Sequence, residues 1–131
     1  MNHETPSILI LEPNALQSDL IKMALLRYNM QPITCKQPDE LRRKLSEYTP
    51  DVLLVDTCLP GLNGLDLIDQ LLTETLLGRT KIFFISSMAF PEIVQKAIRM
   101  GASGFLVKPL NPDLLAARIQ KCFKPAHGLS L

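Results

Sequence analysis

The sequence has few of the residues from which several common kinds of site are built. It contains no tryptophan, only 5% aromatic residues and two histidines in 131 residues. Its three cysteines, Cys35, Cys58 and Cys122, include no closely spaced pair. An odd number of isolated cysteines argues against a disulfide framework or a zinc site, and it favours a reducing compartment. We therefore expect a cytoplasmic protein.

Long apolar runs and an excess of either charge are also absent. No apolar stretch approaches the roughly 20 residues that a membrane-spanning helix requires, and the polar start MNHETPS does not resemble a signal peptide. The formal net charge is +1 with 21% charged residues, so nothing indicates direct binding to nucleic acid or to an acidic membrane. Phosphate-binding loops of the form GxxxxGK(S/T) and nucleophile elbows of the form GxSxG are missing as well.

Short apolar runs alternate with helical patterns along most of the chain. Several runs are apolar at consecutive positions, which is typical of strands buried on both faces of a sheet. The predicted strands are 8–11, 33–35, 52–55, 82–85 and 105–107, and the predicted helices are 14–29, 38–48, 65–77, 91–100 and 112–123. This alternation predicts an α/β fold with a parallel sheet and helices on both of its faces.

The first predicted helix has a clear start and a regular apolar spacing. Asn14 begins it, and asparagine is a favoured N-cap residue. Apolar residues then recur at helical spacing, namely Leu16, Leu20, Met23, Ala24 and Leu26. This spacing indicates an α-helix that begins directly after the first strand.

Polar residues follow four of the five predicted strands. Glu12 follows the first strand and Asp56 the third, while Ser86 follows the fourth and Lys108 the fifth. Because the carboxyl ends of parallel strands meet at one edge of the sheet, we expect these four side chains to converge there. Such a set suits phosphoryl chemistry, in which one carboxylate acts as nucleophile, a second helps to hold a divalent cation, and serine and lysine bind the phosphoryl oxygens.

Three segments of the sequence resemble the receiver domain of two-component response regulators. They are PDVLLVDTCLPGLNGLDLI (50–68), KIFFISS (81–87) and GASGFLVKPL (101–110). The resemblance extends over residues 7–124, and residues 125–131 are expected to form a C-terminal tail or the start of a linker. It implies a flavodoxin-like, doubly wound, five-stranded parallel sheet of order 2-1-3-4-5. It also implies a signalling domain and not an enzyme, because the group that such a domain modifies is its own.

The resemblance assigns roles to individual residues. Asp56 matches the phosphoacceptor aspartate, and Ser86 and Lys108 match the residues that bind the phosphoryl group. Phe105 matches the aromatic residue whose rotamer reports the switch. In this family the phosphoryl group comes from a histidine kinase, a phosphotransfer protein or a small phosphodonor, Mg²⁺ is the cofactor, and the bond before the residue matching Pro109 is usually cis.

The sequence departs from the family pattern at the end of the first strand. Two adjacent acids normally stand there, but here Glu12 is followed by Pro13. Because proline has no side-chain oxygen, Mg²⁺ loses one ligand, and we expect weak or unusual Mg²⁺ dependence. The remaining ligands would be Glu12, Asp56 and the backbone carbonyl of Cys58. Glu12 has a second interpretation, as the partner of Lys108 in a structural ion pair.

Two functions from different classes remain open at this point. One is a phosphoryl-accepting receiver in a phosphorelay, and the other is a phosphorylation-independent pseudo-receiver that acts as a protein-interaction module. A small cofactor-binding protein of the same fold is disfavoured by the scarcity of aromatic residues near the loops.

A homodimer or a target contact is expected through the fourth helix, the fifth strand and the fifth helix. Helix 91–100 has more apolar positions than one buried stripe requires, so we expect Ile93 or Val94 to be largely exposed.

Overall fold

The structure is a computed structural model that describes residues 5–123. The predicted tail at 125–131 lies outside the described residues. Strands and helices alternate along the described chain, as the sequence predicts. The strands of the main sheet are β1 (Ser7–Leu11), β2 (Gln31–Cys35), β3 (Val52–Asp56), β4 (Lys81–Ser86) and β5 (Gly104–Val107). The helices are α1 (Ala15–Arg27), α2 (Pro38–Glu47), α3 (Gly64–Thr73), α4 (Pro91–Arg99) and α5 (Pro112–Lys121).

The five strands form one parallel sheet in the order β2-β1-β3-β4-β5. This is the order 2-1-3-4-5 that the resemblance implies, so the predicted flavodoxin-like fold is confirmed. A short antiparallel hairpin of Cys58–Leu59 and Leu62–Asn63 follows β3. Within residues 5–123, no helix combines the length and the apolar character that crossing a membrane would take.

The core consists of two apolar layers, one on each face of the sheet. Alternate residues of a strand point to opposite faces, so neighbours such as Leu53 and Leu54 enter different layers. Helices α2, α3 and α4 cover one face, and α1 and α5 cover the other. All five residues of β3 are buried, which explains its unbroken apolar run. The strand that ends in Asp56 is therefore the most enclosed element of the fold.

Local sequence signals set where the helices begin. The side chains of Asn14, Asn63 and Asn111 accept hydrogen bonds from the first-turn amides of α1, α3 and α5. Gly64 opens α3 beside the end of β3, and a β-carbon there would lie 2.2 Å from the backbone oxygen of Asp56. Only glycine therefore lets α3 start this close to the end of β3. The predicted helix 65–77 is four residues too long at its end, because the chain turns at Thr75 with a φ of +57°.

Helix α1 is apolar on two opposite faces. Ile21, Ala24 and Leu25 are buried against the sheet. Of the five residues whose spacing indicated this helix, four face outward: Leu16 is 69% exposed, Leu20 42%, Met23 54% and Leu26 55%. Leu16, Leu20 and Met23 follow one another at intervals of four and three residues, so they line one face of the helix. We refer to Leu16, Leu20, Met23 and Leu26 as the α1 apolar stripe.

The prediction that Ile93 or Val94 is largely exposed is wrong. Both side chains are of intermediate burial, and Ile93 packs against the core. The fully buried residue of α4 is Ala97, and positions three and four residues before it lie on the same face of a helix. Ile98 turns outward instead and is 64% exposed.

Candidate functional site

Three of the four polar side chains that sequence reasoning grouped together are in contact at the carboxyl edge of the sheet. Glu12 follows β1, Asp56 ends β3 and Lys108 follows β5. The Lys108 ammonium lies 2.6 Å from Asp56 Oδ2 and 3.1 Å from Glu12 Oε1. Ser86 ends β4 at the same edge, but its hydroxyl group is hydrogen-bonded to Thr57 and to the backbone of Met88 instead. The edge thus holds two carboxylates and one ammonium group.

Burial and the ion pairs together shift the pKa values of Glu12 and Lys108. Glu12 is only 1% exposed and Asp56 2% exposed. Burial raises the pKa of the Glu12 carboxyl above its ordinary value, although the Asn14 backbone N–H donates to Oε2 at 3.0 Å and counteracts part of this rise. For Lys108, burial lowers the pKa, but the contacts with Asp56 and Glu12 outweigh burial, and the pKa is raised overall. Lys108 is therefore charged at neutral pH, and Glu12 takes up a proton more readily than an exposed glutamate does.

The carboxylate of Asp56 is held from both sides. Its Oδ1 atom accepts a hydrogen bond from the backbone N–H of Cys58 at 2.8 Å, and its Oδ2 atom accepts one from Lys108. The backbone of the next residue, Thr57, is also hydrogen-bonded on both sides. Its N–H donates to Ile85 O at 2.9 Å, and its carbonyl oxygen accepts from the Gly64 N–H at 2.8 Å. The orientation of the carboxylate is thus set before any ligand binds.

The oxygen atoms near this carboxylate fit a divalent cation only in part. Glu12 Oε1 is buried, and the ammonium group of Lys108 lies 3.1 Å from it. Pro13 supplies no side-chain oxygen, and Asn14 Oδ1 is engaged with the Gln17 N–H in the helix cap. Across residues 5–123 there is no group of three or more histidine, cysteine or acidic residues that could hold a metal. Mg²⁺ is usually bound through one or two carboxylates and keeps several waters, so Glu12 and Asp56 are the side chains here that could hold it.

Ser86 forms a separate hydrogen-bonded group with two neighbours. Its Oγ accepts from the hydroxyl of Thr57 at 2.6 Å and from the backbone N–H of Met88 at 2.9 Å, and it donates to Met88 O at 2.9 Å. Sequence reasoning missed Thr57, which follows Asp56 directly. The sequence held no signal for this contact, because it depends on the register of the two strands, in which Asp56 pairs with Ile85 and the next positions are Thr57 and Ser86.

Phe105 lies in β5, partly buried against the core. Its ring is tilted against that of Phe84, with the ring centroids 6.4 Å apart. A role as reporter of the switch stays a prediction for this residue. The peptide bond between Lys108 and Pro109 is cis, as the resemblance led us to expect.

The sequence matches a family model and known regulatory proteins. The family model of the response regulator receiver domain matches residues 8–120. The phosphate regulon transcriptional regulatory protein PhoB of Escherichia coli is 27% identical over 113 residues, which are 86% of this chain and 49% of that protein. The nitrate/nitrite response regulator NarL of the same species is 42% identical over 69 residues, which are 52% of this chain and 31% of NarL. The chain thus spans about half or less of the length of these relatives.

Solved receiver structures share the fold. The receiver domain of the Francisella response regulator 1452 superposes with a TM-score of 0.82 at 19% identity and covers 91% of this chain and 97% of its own. The BeF₃-activated receiver domain of Klebsiella pneumoniae RstA gives a TM-score of 0.78 at 24% identity and covers 91% and 99%. Because the family model matches nearly the whole described chain and the strand order agrees, this chain belongs to the response regulator receiver domains of two-component systems.

Proposed function

We propose that this receiver domain accepts a phosphoryl group on Asp56. The observation that carries the proposal is the Asp56 carboxylate, which is buried, oriented at the sheet edge and 2.6 Å from the ammonium of Lys108. In the reaction, a carboxylate oxygen forms a bond to phosphorus while the bond from phosphorus to the donor atom breaks. The product is an acyl phosphate on the domain itself, so the domain acts as a signalling element and not as an enzyme on another substrate.

Lys108 is the residue that would bind the transferred group. Its raised pKa keeps the ammonium charged, and a cation next to the phosphoryl oxygens stabilises the charge that they carry in the transition state. Lys108 already bridges Glu12 and Asp56, so it needs little movement to contact a group on Asp56. Ser86 would supply a hydroxyl donor after leaving its present partners.

Weak binding of Mg²⁺ is the second part of the proposal. Glu12, Asp56 and the backbone carbonyl of Cys58 would hold the ion, with Pro13 in place of a further acid. When bound, a divalent cation neutralises negative charge on the phosphoryl oxygens. Glu12 is buried at the same sheet edge as Asp56, which supports a ligand role for this residue, and its 3.1 Å contact with Lys108 supports a structural role when no ion is present.

The α1 apolar stripe is the surface that we assign to the phosphodonor protein. Helix α1 begins three residues after Glu12, so the first residue of the stripe, Leu16, lies close to the site along the chain. Contiguous exposed apolar residues mark protein contacts. A histidine kinase or a phosphotransfer protein that covers this stripe would bring its phosphohistidine to the same edge of the sheet.

The second proposed contact surface is the face formed by α4, β5 and α5, which would bind a second copy of the domain or a target. Each of these elements has an exposed apolar residue that supports such a contact, namely Ile98, Val107 and Leu114.

A phosphorylation-independent interaction module is the second candidate. It is favoured by the ion cluster itself, because Lys108 satisfies both carboxylates without a phosphoryl group. The test is incubation of the wild-type protein with acetyl phosphate and Mg²⁺, followed by mass spectrometry of the intact chain. We expect a mass increase of one phosphoryl group that Asp56→Asn abolishes. An unchanged mass at every Mg²⁺ concentration would leave only the interaction module.

A further inference from the structure

The hydroxyl group of Ser86 has used all of its hydrogen-bonding capacity. A serine hydroxyl can donate one hydrogen bond and accept two. Here the oxygen accepts from Thr57 Oγ1 and from the Met88 N–H, and its single proton is donated to Met88 O. A phosphoryl oxygen accepts hydrogen bonds, so Ser86 can bind one only by giving up the hydrogen bond that it donates to Met88 O.

Thr57 donates one of these hydrogen bonds, and its own position is fixed. Its side chain is 5% exposed and Ser86 is fully buried, so water cannot readily replace the bond between them. The backbone of Thr57 is bonded on both sides, to Ile85 and to Gly64. The hydroxyl of Thr57 therefore cannot follow Ser86 far when the serine changes its rotamer.

We infer that Thr57 is a positioning residue that holds the Ser86 hydroxyl in its resting orientation, so that the hydrogen bond between Thr57 and Ser86 opposes the binding of a phosphoryl group. This inference rests on the proposed function of Asp56. A step between staggered rotamers moves a serine oxygen by roughly 2 Å, a distance comparable to the 2.6 Å bond itself. The bond to Thr57 is therefore lost when Ser86 turns toward a new acceptor.

The loop after β4 is coupled to the same rotamer change of Ser86. Ser86 binds both the N–H and the carbonyl oxygen of Met88, and α4 begins at Pro91, three residues further on. When Ser86 turns and donates its hydroxyl proton to a phosphoryl oxygen instead of to Met88 O, the loop loses this contact. Thr57 thereby sets how strongly a phosphoryl group must bind before the loop is released.

The test compares Thr57→Val, which keeps the shape and removes the hydroxyl, with Thr57→Ser, which keeps the hydroxyl. The probe is beryllium fluoride in excess Mg²⁺, whose affinity is measured by NMR titration. We expect Thr57→Val to bind about fivefold more tightly than wild type, in line with the loss of one buried hydrogen bond. Thr57→Ser should bind like wild type. In a Ser86→Ala background, Thr57→Val should change nothing, because the partner is already gone.

A second measurement is independent of phosphoryl binding. Scalar couplings across χ1 of Ser86 in the free protein should report a single rotamer in wild type and in Thr57→Ser, and a mixture of rotamers in Thr57→Val. If wild type binds beryllium fluoride and Thr57→Val has equal or weaker affinity, the inference is wrong and the proposed function stands. If wild type does not bind the probe but the couplings change as expected, the proposed function fails and the positioning role stands. Unchanged couplings would overturn the positioning role in either case.

Discussion

The Nζ atom of Lys108 and the Oδ2 atom of Asp56 are 2.6 Å apart, although the two residues are 52 positions apart in the chain. Asp56 ends the most buried strand of the sheet, and Lys108 follows the edge strand β5. Their contact therefore depends on the completed sheet, and it joins the residue that would accept a phosphoryl group to the residue that would bind it.

Removing the ammonium group should destabilise the fold. Lys108→Met would leave the buried carboxylates of Glu12 and Asp56 without their shared cation. We expect the free energy of unfolding at pH 7 to fall by about 2 kcal/mol, which is less than for a fully buried ion pair. Urea unfolding measures this loss. Lys96→Met is the matched control, because it breaks only the exposed pair with Asp66 at 3.2 Å and should cost about 0.5 kcal/mol or less. Equal losses in the two variants would contradict the prediction.

Glu12 should make the stability depend on pH. Its pKa in the folded state is raised above the ordinary value of 4.5, so between these two values the folded state binds more protons than the unfolded state. The contribution of Glu12 to stability therefore falls as the pH rises from about 4.5 through the folded pKa. Glu12→Gln removes this titration, and its stability relative to wild type should increase over the same range. Urea unfolding of both proteins from pH 4.5 to 8 measures the difference, and a pH-independent difference would count against the raised pKa.

Restoring an acid after Glu12 should strengthen binding of Mg²⁺. Pro13→Asp adds a third carboxylate, and after the cost of desolvating it we expect a net gain of about 1–2 kcal/mol, or about tenfold in affinity. Labelling of Asp56 by acetyl phosphate should become faster, and Asp56→Asn should abolish it. Pro13→Ala is the control, because it removes the proline without adding an oxygen. Mg²⁺ titration and labelling are measured side by side, and a wild type that matches Pro13→Asp in both would show that the proline does not limit the site.

The α1 apolar stripe should matter for transfer from a protein and not for reaction with a small molecule. Leu20→Glu places a charge in the stripe on an exposed position, so stability should change by about 0.5 kcal/mol or less. We expect labelling by acetyl phosphate to stay unchanged and the transfer rate from a phosphorylated cognate histidine kinase to fall about tenfold, equivalent to the loss of one apolar contact. Leu114→Glu on α5 is the control. Equal transfer rates for wild type and Leu20→Glu would place the docking surface elsewhere.

The start of α3 should not tolerate a side chain. In Gly64→Ala the new methyl group would meet the backbone oxygen of Asp56, and overpacking of this kind costs about 1–3 kcal/mol. Gly78→Ala is the control, because no atom lies within 4 Å of the added methyl group. Its only unfavourable feature is the φ of +53°, which costs an alanine about 1 kcal/mol. Thermal unfolding compares the variants. Labelling of Asp56 should also slow in Gly64→Ala alone, since the carbonyl that must shift belongs to Asp56.

Most of the fold could be predicted from local patterns. Short apolar runs identified the five strands of the sheet, and several of these runs are apolar at consecutive positions because strands covered on both faces need no polar residues. The asparagine at the start of α1 marked a helix start, because a cap acts within a few residues of the chain. Placing Glu12, Asp56, Ser86 and Lys108 at one edge needed only the rule that parallel strands end together.

Other features depended on contacts between distant parts of the chain. Helix α1 has apolar residues on opposite faces, and only packing on the sheet decided that Ile21 and Leu25 are buried while Leu16 and Met23 are exposed. The same holds for α4, where Ala97 faces the core and Ile98 does not. The pairing of Thr57 with Ser86 was invisible for a similar reason, since it requires the register of β3 against β4. The sequence by itself determined which residues reach the sheet edge, because strand ends are local; the tertiary structure decided their partners, because hydrogen bonds and burial there depend on side chains from separate strands.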